Sequence, residues 1–461
     1  HDGDVILHPT AVGDAAALAA LGLRGFPEGD LGEVVIAIGL APFSAQQAGG
    51  AAGGRYGRYR AKPGGHIALY GRSHSGAAVD DQAAGIRLAS TADKGAGIDA
   101  GTGSIVLDGE SQGTSGWAIG VEFNSAAGKT VTVASAATSG DAIAITGDAG
   151  GASSATGRRG VSIDGQTAIS ATGGGNIVVK GHSSTEESIY MSGGTLSSGG
   201  GNLTLVSDII NLDEVARISG AGVLTIQPWQ EWEEIGIAGG AGKLQLPADY
   251  FSTNFVDGFS GITIGWSNAG PITTGGNFAI RDDMTLKSGG DITIGAGLSW
   301  EGANKLTLDT PETVHVNAAI ENTSATTGVY FSAGNTTDKV VFGANGKVIL
   351  HNVQQLQWMN TALAGKYELG ANIDASATSG WNGGLGFAPV GDSTNNFTGV
   401  LDGKGHTINA LVINRASSDV GLFGRAGSGS EIKNVGLAGG SVQGGRSSAP
   451  RRVPGGAQCG R

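Results

Sequence analysis

The sequence predicts an all-β chain wound as a parallel β-solenoid, and three observations carry that expectation. Glycine fills 85 of 461 positions, well over twice its ordinary share of about 7%, and so much glycine weakens helix interiors. Short β-branched runs recur between clusters of Gly, Asn, Ser and Asp. These runs keep neither the beat of about 8 to 12 residues expected of a hairpin-built sandwich nor the strand–helix alternation of a βαβ fold.

The runs, in order, are SIVLDG (104–109), VTVAS (131–135), AIAITG (142–147), NIVVKG (176–181), NLTLVS (202–207), VLTIQ (223–227), ITIG (262–265), MTLKSGGDITIG (284–295), KLTLDT (305–310) and KVILHN (347–352). Each is too short to repeat a helical turn and suits a strand. Their spacing gives a loose period of about 20 to 25 residues per coil, with two or three strands in each. Strands of successive coils would stack about 4.8 Å apart, with Val, Ile and Leu in continuous inward columns. Gly and Asn would take the corners, where positive φ is needed.

Composition divides the chain. Residues 1–63 form an atypical segment, Ala-rich from 11 onward with Arg55, Arg58 and Arg60 close together, although VVIAIG (34–39) reads as a strand. Residues 64–230 read as Gly-rich solenoid, the Trp-rich QPWQEWEE (227–234) as a break, and 231–350 as its continuation. Residues 351–444 form a further β-helical module. In 445–461 the pattern stops: Arg446, Arg451, Arg452, Arg461, Pro450, Pro454 and the single Cys459 fall in one short tail. Proline removes a ladder donor, so the tail reads as foreign to the fold, as a frameshifted or truncated gene end would be. The last coil would then present a sheet edge that invites association.

The module resembles part of large secreted bacterial exoproteins of the filamentous haemagglutinin type, including the short GLUG motif. The residues that carry the likeness are LQWMNTALAGKYELGANIDASATSGWNGGLGFAPVG (356–391), FTGVLDGKGHTINALVINR (397–415) and VGLFGRAGSGSEIKNVGL (420–437). The resemblance implies a right-handed parallel β-helix, export to the cell surface through an outer-membrane partner, and a role in adhesion. Within it, Leu401, Ile408, Leu411 and Ile413 are expected to point inward, Gly403 and Gly405 to turn the chain after Asp402, and Phe423 to fill the coil interior beside Gly421 and Gly424.

Chemistry is sparse. A net charge of −12 with 15% charged residues leaves no excess of cations to neutralise phosphate and argues against nucleic acid. One cysteine excludes an internal disulfide and a Cys-based metal site. The longest apolar stretch, AAALAALGL (15–23), is too short to span a bilayer. The chain starts at His1 without methionine and reads as a fragment or processed piece.

Because parallel β-helices can also carry polysaccharide hydrolases or lyases, the carboxylates were weighed as acid–base pairs: Asp282 with Asp283, Asp80 with Asp81, and Glu231, Glu233 and Glu234. RDDMT followed by Gly405-His406 and Lys433 superficially matches the polygalacturonase order. However, no Asn-Thr-Asp precedes the pair, Thr407 follows His406, and no Arg precedes Ile432. His66, His74, His182, His315, His351 and His406 lack the short spacings of a zinc site. GGAGKLQL (239–246) has the glycines of a calcium repeat but Lys243 in the ligand position. Sequons occur at Asn202, Asn322, Asn335 and Asn396.

The sequence therefore assigns no catalytic, metal-binding or cofactor-binding residue and no cofactor. It predicts a non-enzymatic fragment of a secreted or surface-exposed adhesin, a stalk that attaches to cells or glycans and does not itself span a membrane. The alternative is a carbohydrate-active β-helix enzyme.

Overall fold

The computed structural model describes residues 65–73, 83–111, 118–150, 157–333, 339–417 and 419–445, with short strands at Val5–Leu7, Val35–Ile36 and Tyr59–Arg60. Asp80, Asp81, His74, Asn335, Cys459 and the Arg- and Pro-rich tail lie outside the described residues.

The chain is a parallel β-solenoid. One wall is an eleven-stranded parallel sheet running from Val5–Leu7 to Val329–Ser332. Ile67, Ile105, Ile143, Ile177, Leu203, Leu224, Ile262, Met284, Leu306 and Val329 stack in register along it. Two residues further on, Leu69, Leu107, Ile145, Val179, Leu205, Ile226, Ile264, Leu286, Leu308 and Phe331 form a second column, and both columns are buried. Full burial of each such side chain is worth about 1.5 to 3 kcal/mol, so the core is a continuous apolar rod. Between these columns, on the outer side, Thr204, Thr225, Thr263, Thr285 and Thr307 form a half-exposed row. Every β run read from the sequence lies on a strand of this wall or of the facing ones.

Coil length departs from the expected 20 to 25 residues in the first half. Ile67, Ile105 and Ile143 are 38 residues apart and Ile177 follows after 34, whereas Ile262, Met284, Leu306 and Val329 are separated by 22, 22 and 23. The early coils carry longer strands, Asp141–Ala149, Arg158–Ala171 and Ile189–Ser198 among them. Arg158–Ala171 pairs with both Ala118–Asn124 and Val131–Ser135, so a single sheet bends to form two walls.

Glycine makes the longer strands possible. Gly71, Gly109, Gly147 and Gly181 stack in register on the first wall and meet Gly85, Gly120 and Gly160 on the facing sheet. A Cβ on Gly147 would lie 2.6 Å from the Gly160 carbonyl carbon and 2.9 Å from Val161 Cγ2. None of these glycines has positive φ. They are required because two backbones cross in contact, a different use from the corner glycines such as Gly140 (φ 65°). Beyond the crossing Arg158 is fully buried and donates from Nη1 to the Ala149 carbonyl at 2.9 Å.

Three short strands of the N-terminal segment join the sheets: Val5–Leu7 and Tyr59–Arg60 pair in parallel, and Val35–Ile36 pairs antiparallel with Ala89 and Leu88. At 227–234 the first wall is unbroken, since Ile226 pairs with Ile264. The opposite wall changes there, and a new sheet begins at Ile235–Ile237 and Leu244–Leu246. The first wall ends at Val329–Ser332, against which a short helix, Val353–Trp358, packs with Trp358 edge-on to Tyr330 at 5.6 Å. Asn352 caps that helix by accepting the Gln355 N–H at 2.8 Å.

The ladder of Leu298, Ile320, Val348, Tyr367, Leu401 and Ile432 carries the solenoid onward. Leu401, Ile408, Leu411 and Ile413 are buried as expected, and Lys404 (φ 52°) and Gly405 (φ 85°) make the turn after Asp402. Phe423 corrects the sequence reading. Leu422 takes the interior, while Phe423 is half-buried against Phe397 with ring centres 4.7 Å apart.

Candidate functional site

The carboxylates singled out in the sequence mostly hold backbone. Asp282 is buried at the turn before Met284–Lys287, and its Oδ1 accepts the Gly258 N–H at 3.1 Å. Asp283 is exposed and accepts the Lys305 N–H of the next coil at 2.8 Å. Burial pushes the Asp282 carboxyl above the usual carboxylate range, and the hydrogen-bonded carboxyl of Asp257 adds to the rise. Two acids in hydrogen-bonding contact are too close to flank a glycosidic bond, which needs about 5 Å or more. Asp282→Asn keeps the acceptor for Gly258 and removes a buried charge. It is expected to melt no lower than the wild type at pH 7; a loss above about 2 kcal/mol would mean that the ionised form is needed.

The structure does not bring His406 and Lys433 to this pair. His406 follows Leu401, four rungs beyond Leu298 on their common ladder, about 19 Å at 4.8 Å per rung. Its Nδ1 lies 3.4 Å from Asn372 Oδ1, and Lys433 pairs with Glu431 at 2.9 Å. The other described imidazoles also contact residues of neighbouring coils: His66 with Ser104 (2.7 Å), His182 with Asp148 (2.9 Å), His315 with Asp291 (3.3 Å) and His351 with Glu321 (2.8 Å). Among the described residues no three His, Cys, Asp or Glu side chains converge on a metal-sized site. Lys243, in the ligand position of the calcium-like repeat, reaches Glu233 at 2.9 Å and Asp208 at 3.2 Å.

Two surface depressions are the largest candidate sites that can be described. One, of about 570 Å³, is lined by Asp249, Ser252, Phe278, Arg281, Ser299 and Trp300 among others. Its single carboxylate has no acidic partner in the lining. The other, of about 410 Å³, lies on the outer face of the later ladder and is lined by Lys347, Lys366, Glu368, Asp402 and Lys433. Glu368 and Asp402 occupy facing positions on adjacent rungs. Lys347 reaches Glu368 at 2.9 Å, and Lys404 lies 3.5 Å from Glu368 and 3.8 Å from Asp402. Backbone donation from Lys404, followed by the Asn434 amide, holds the Asp402 carboxyl below its usual range.

A general acid must keep its proton near neutral pH, and the acids pushed upward are Asp108, Glu122 and Asp282. None of them lines either depression. The charged ladder escaped the sequence reading because its members lie 19 to 34 residues apart; the signal was the shared position of KYEL and VLDG relative to their turns.

Glu122 illustrates the structural cost of such groups. Its side chain is almost fully buried, with Arg87 Nε 3.1 Å from Oε2. Desolvation raises its pKa above 4.5, and Arg87 offsets only part of that rise. The folded state therefore holds the proton more tightly than the unfolded chain. The associated stability is fully present below about pH 4.5 and is lost as pH rises through the folded pKa. In Glu122→Gln the melting temperature relative to wild type is expected to climb between pH 4 and pH 7. A pH-independent difference would contradict this.

Of the sequons, Asn322 is buried with Nδ2 donating to the Trp300 and Gly302 carbonyls, both at 3.1 Å, which commits the nitrogen that a glycan would need. Asn202 is exposed, and Asn396 is half-buried. Among the described residues no helix is long and apolar enough to cross a membrane.

No protein-family model matches the chain, and no solved structure does. Over 131 residues it is 42% identical to halomucin of Haloquadratum walsbyi (strain DSM 16790 / HBSQ001), a match covering 27% of this chain and 1% of halomucin. Over 117 residues it is 29% identical to a protein of Evansella cellulosilytica (strain ATCC 21833 / DSM 2522 / FERM P-1141 / JCM 9156 / N-4) provisionally described as a Gly-rich membrane protein. That match covers 24% of this chain and 14% of the relative. The chain thus spans a small part of either relative's length.

Proposed function

We propose that the chain is a section of a long extracellular or cell-surface protein, in which the solenoid is a stalk that presents attachment surface to cells or glycans and catalyses no reaction. The observation that carries this reading is the unbroken apolar rod under an eleven-stranded parallel wall. Such a rod gives length and stiffness without a central cavity. The partial likenesses to halomucin and to a protein described as Gly-rich and membrane-associated support the location. The relation to filamentous haemagglutinin-type exoproteins, the GLUG segment and export through an outer-membrane partner belong to the same proposal.

Antibodies raised against residues 100–444 are expected to label intact cells of the encoding organism, and external protease is expected to remove the signal. Labelling only after lysis would overturn the proposal.

A further inference from the structure

We propose that Trp232 is a stacking platform for a pyranose ring of a neutral glycan. This rests on the reading of the chain as an attachment module and names the ligand class for one place on it. Trp232 is 63% exposed, while Trp300 is buried and Trp229, Trp266, Trp358 and Trp381 are each at least half-buried. Trp229, three residues earlier, stacks on His182 with centroids 5.3 Å apart. No other ring among the described residues stacks on Trp232.

Its backbone sets it apart further. Trp232 has φ 61°, a left-handed conformation that a bulky residue adopts only at a cost. The conformation is fixed from outside the turn: Trp232 N–H donates to the Asn268 carbonyl at 2.8 Å and Gly270 N–H donates to the Glu233 carbonyl at 3.0 Å. Glycine would satisfy the same geometry without strain. A large apolar ring held in solvent at a position that glycine suits better does little for the fold. Such local strain is a pointer to function when the surroundings enforce it.

The flanking groups suit a sugar. Glu231 Oε1 accepts from Asn268 Nδ2 at 3.1 Å, which places a carboxylate and an amide beside the ring, where they can accept from and donate to hydroxyls. Glu231, Glu233 and Glu234 outnumber the one nearby cation, Lys243, which is already held by Glu233 and Asp208. This acidic surround disfavours uronates and sulfated chains, so the glycan is neutral. The ring face would cover the apolar C–H face of the sugar, as tryptophan does for other rings with one wet edge.

The test titrates the protein with maltohexaose, cellohexaose, mannohexaose and hexagalacturonate, following the Trp232 indole N–H by NMR. At least one neutral oligosaccharide is expected to shift that signal and to bind at least ten times more tightly than hexagalacturonate. Trp232→Gly is expected to lose that binding at least tenfold while melting no lower than wild type, and Trp232→Phe to retain part of it. Binding of none of the neutral probes, equal binding by Trp232→Gly, or a several-degree fall in its melting temperature would each overturn the proposal. So would dimerisation abolished by Trp232→Gly, because the ring would then face a second copy. Failure here with intact surface labelling would leave the stalk reading standing.

Discussion

Gly120→Ala is expected to destabilise the protein by about 3 kcal/mol, the upper range for forcing an extra methyl into a closed core. The new Cβ would lie 2.6 Å from both Cα and the carbonyl carbon of Gly147, on the facing sheet, and closer still to the Asp148 nitrogen. All three are backbone atoms, so no side chain can swing away; the two sheets must part, and each is anchored above and below by its own ladder. Gly128→Ala is the control. Gly128 has φ 71° and nothing within 4 Å of its absent Cβ, so that substitution carries only the left-handed strain of about 1 kcal/mol. Denaturant unfolding of the two variants measures the difference. Equal losses would mean that the sheets are not in contact at the crossing.

Gln355→Leu is expected to cost about 3 kcal/mol, because it strands buried backbone groups rather than opening a cavity. Gln355 Oε1 accepts the His351 N–H at 2.6 Å, and Nε2 donates to the Asn322 carbonyl at 2.8 Å and the Thr327 carbonyl at 2.7 Å. Thr327 would keep its bond from Asn352; His351 and Asn322 would keep none of those made here. The side chain joins the short helix to the coil before it, so its loss should also speed hydrogen exchange at the His351 amide. A change under 1 kcal/mol with unaltered exchange would show that water replaces it freely.

The sequence carried the inward columns well because Ile, Val and Leu alternate with Thr in runs such as VLTIQ and MTLK, and period two with β-branching is a local signal. It carried the early coils poorly. AAGIRLA (83–89) and RRGVSIDGQTAISA (158–171) are strands written largely in Ala, Ser and Gly, where little distinguishes strand from loop. Gly109 was read as the end of a run, yet it sits inside Ile105–Ser111, because a crossing between sheets depends on residues many positions away. The helix at Val353–Trp358 had a readable sign in Asn352 followed by Val353 and Leu356 at helical spacing, but those residues lie among β runs. The acids were legible as residues and not as roles: Asp282 and Asp283 are occupied by N–H groups 24 and 22 residues distant. Nor does any local pattern announce the left-handed turn at Trp232, which is enforced by Asn268 from the next coil.

From Ile262 to Leu306 the coil is also a ruler. Ile262, Met284 and Leu306 occupy equivalent places at intervals of 22 residues, and Thr263, Thr285 and Thr307 repeat the outer position with the same spacing. A piece of that size could be removed or copied without altering what any remaining strand has for a neighbour, and the rod would change by one step of about 4.8 Å. Reach is thereby uncoupled from shape: a lineage of such chains can vary in height by whole increments, while a gain or loss of any other size would throw every later strand out of step.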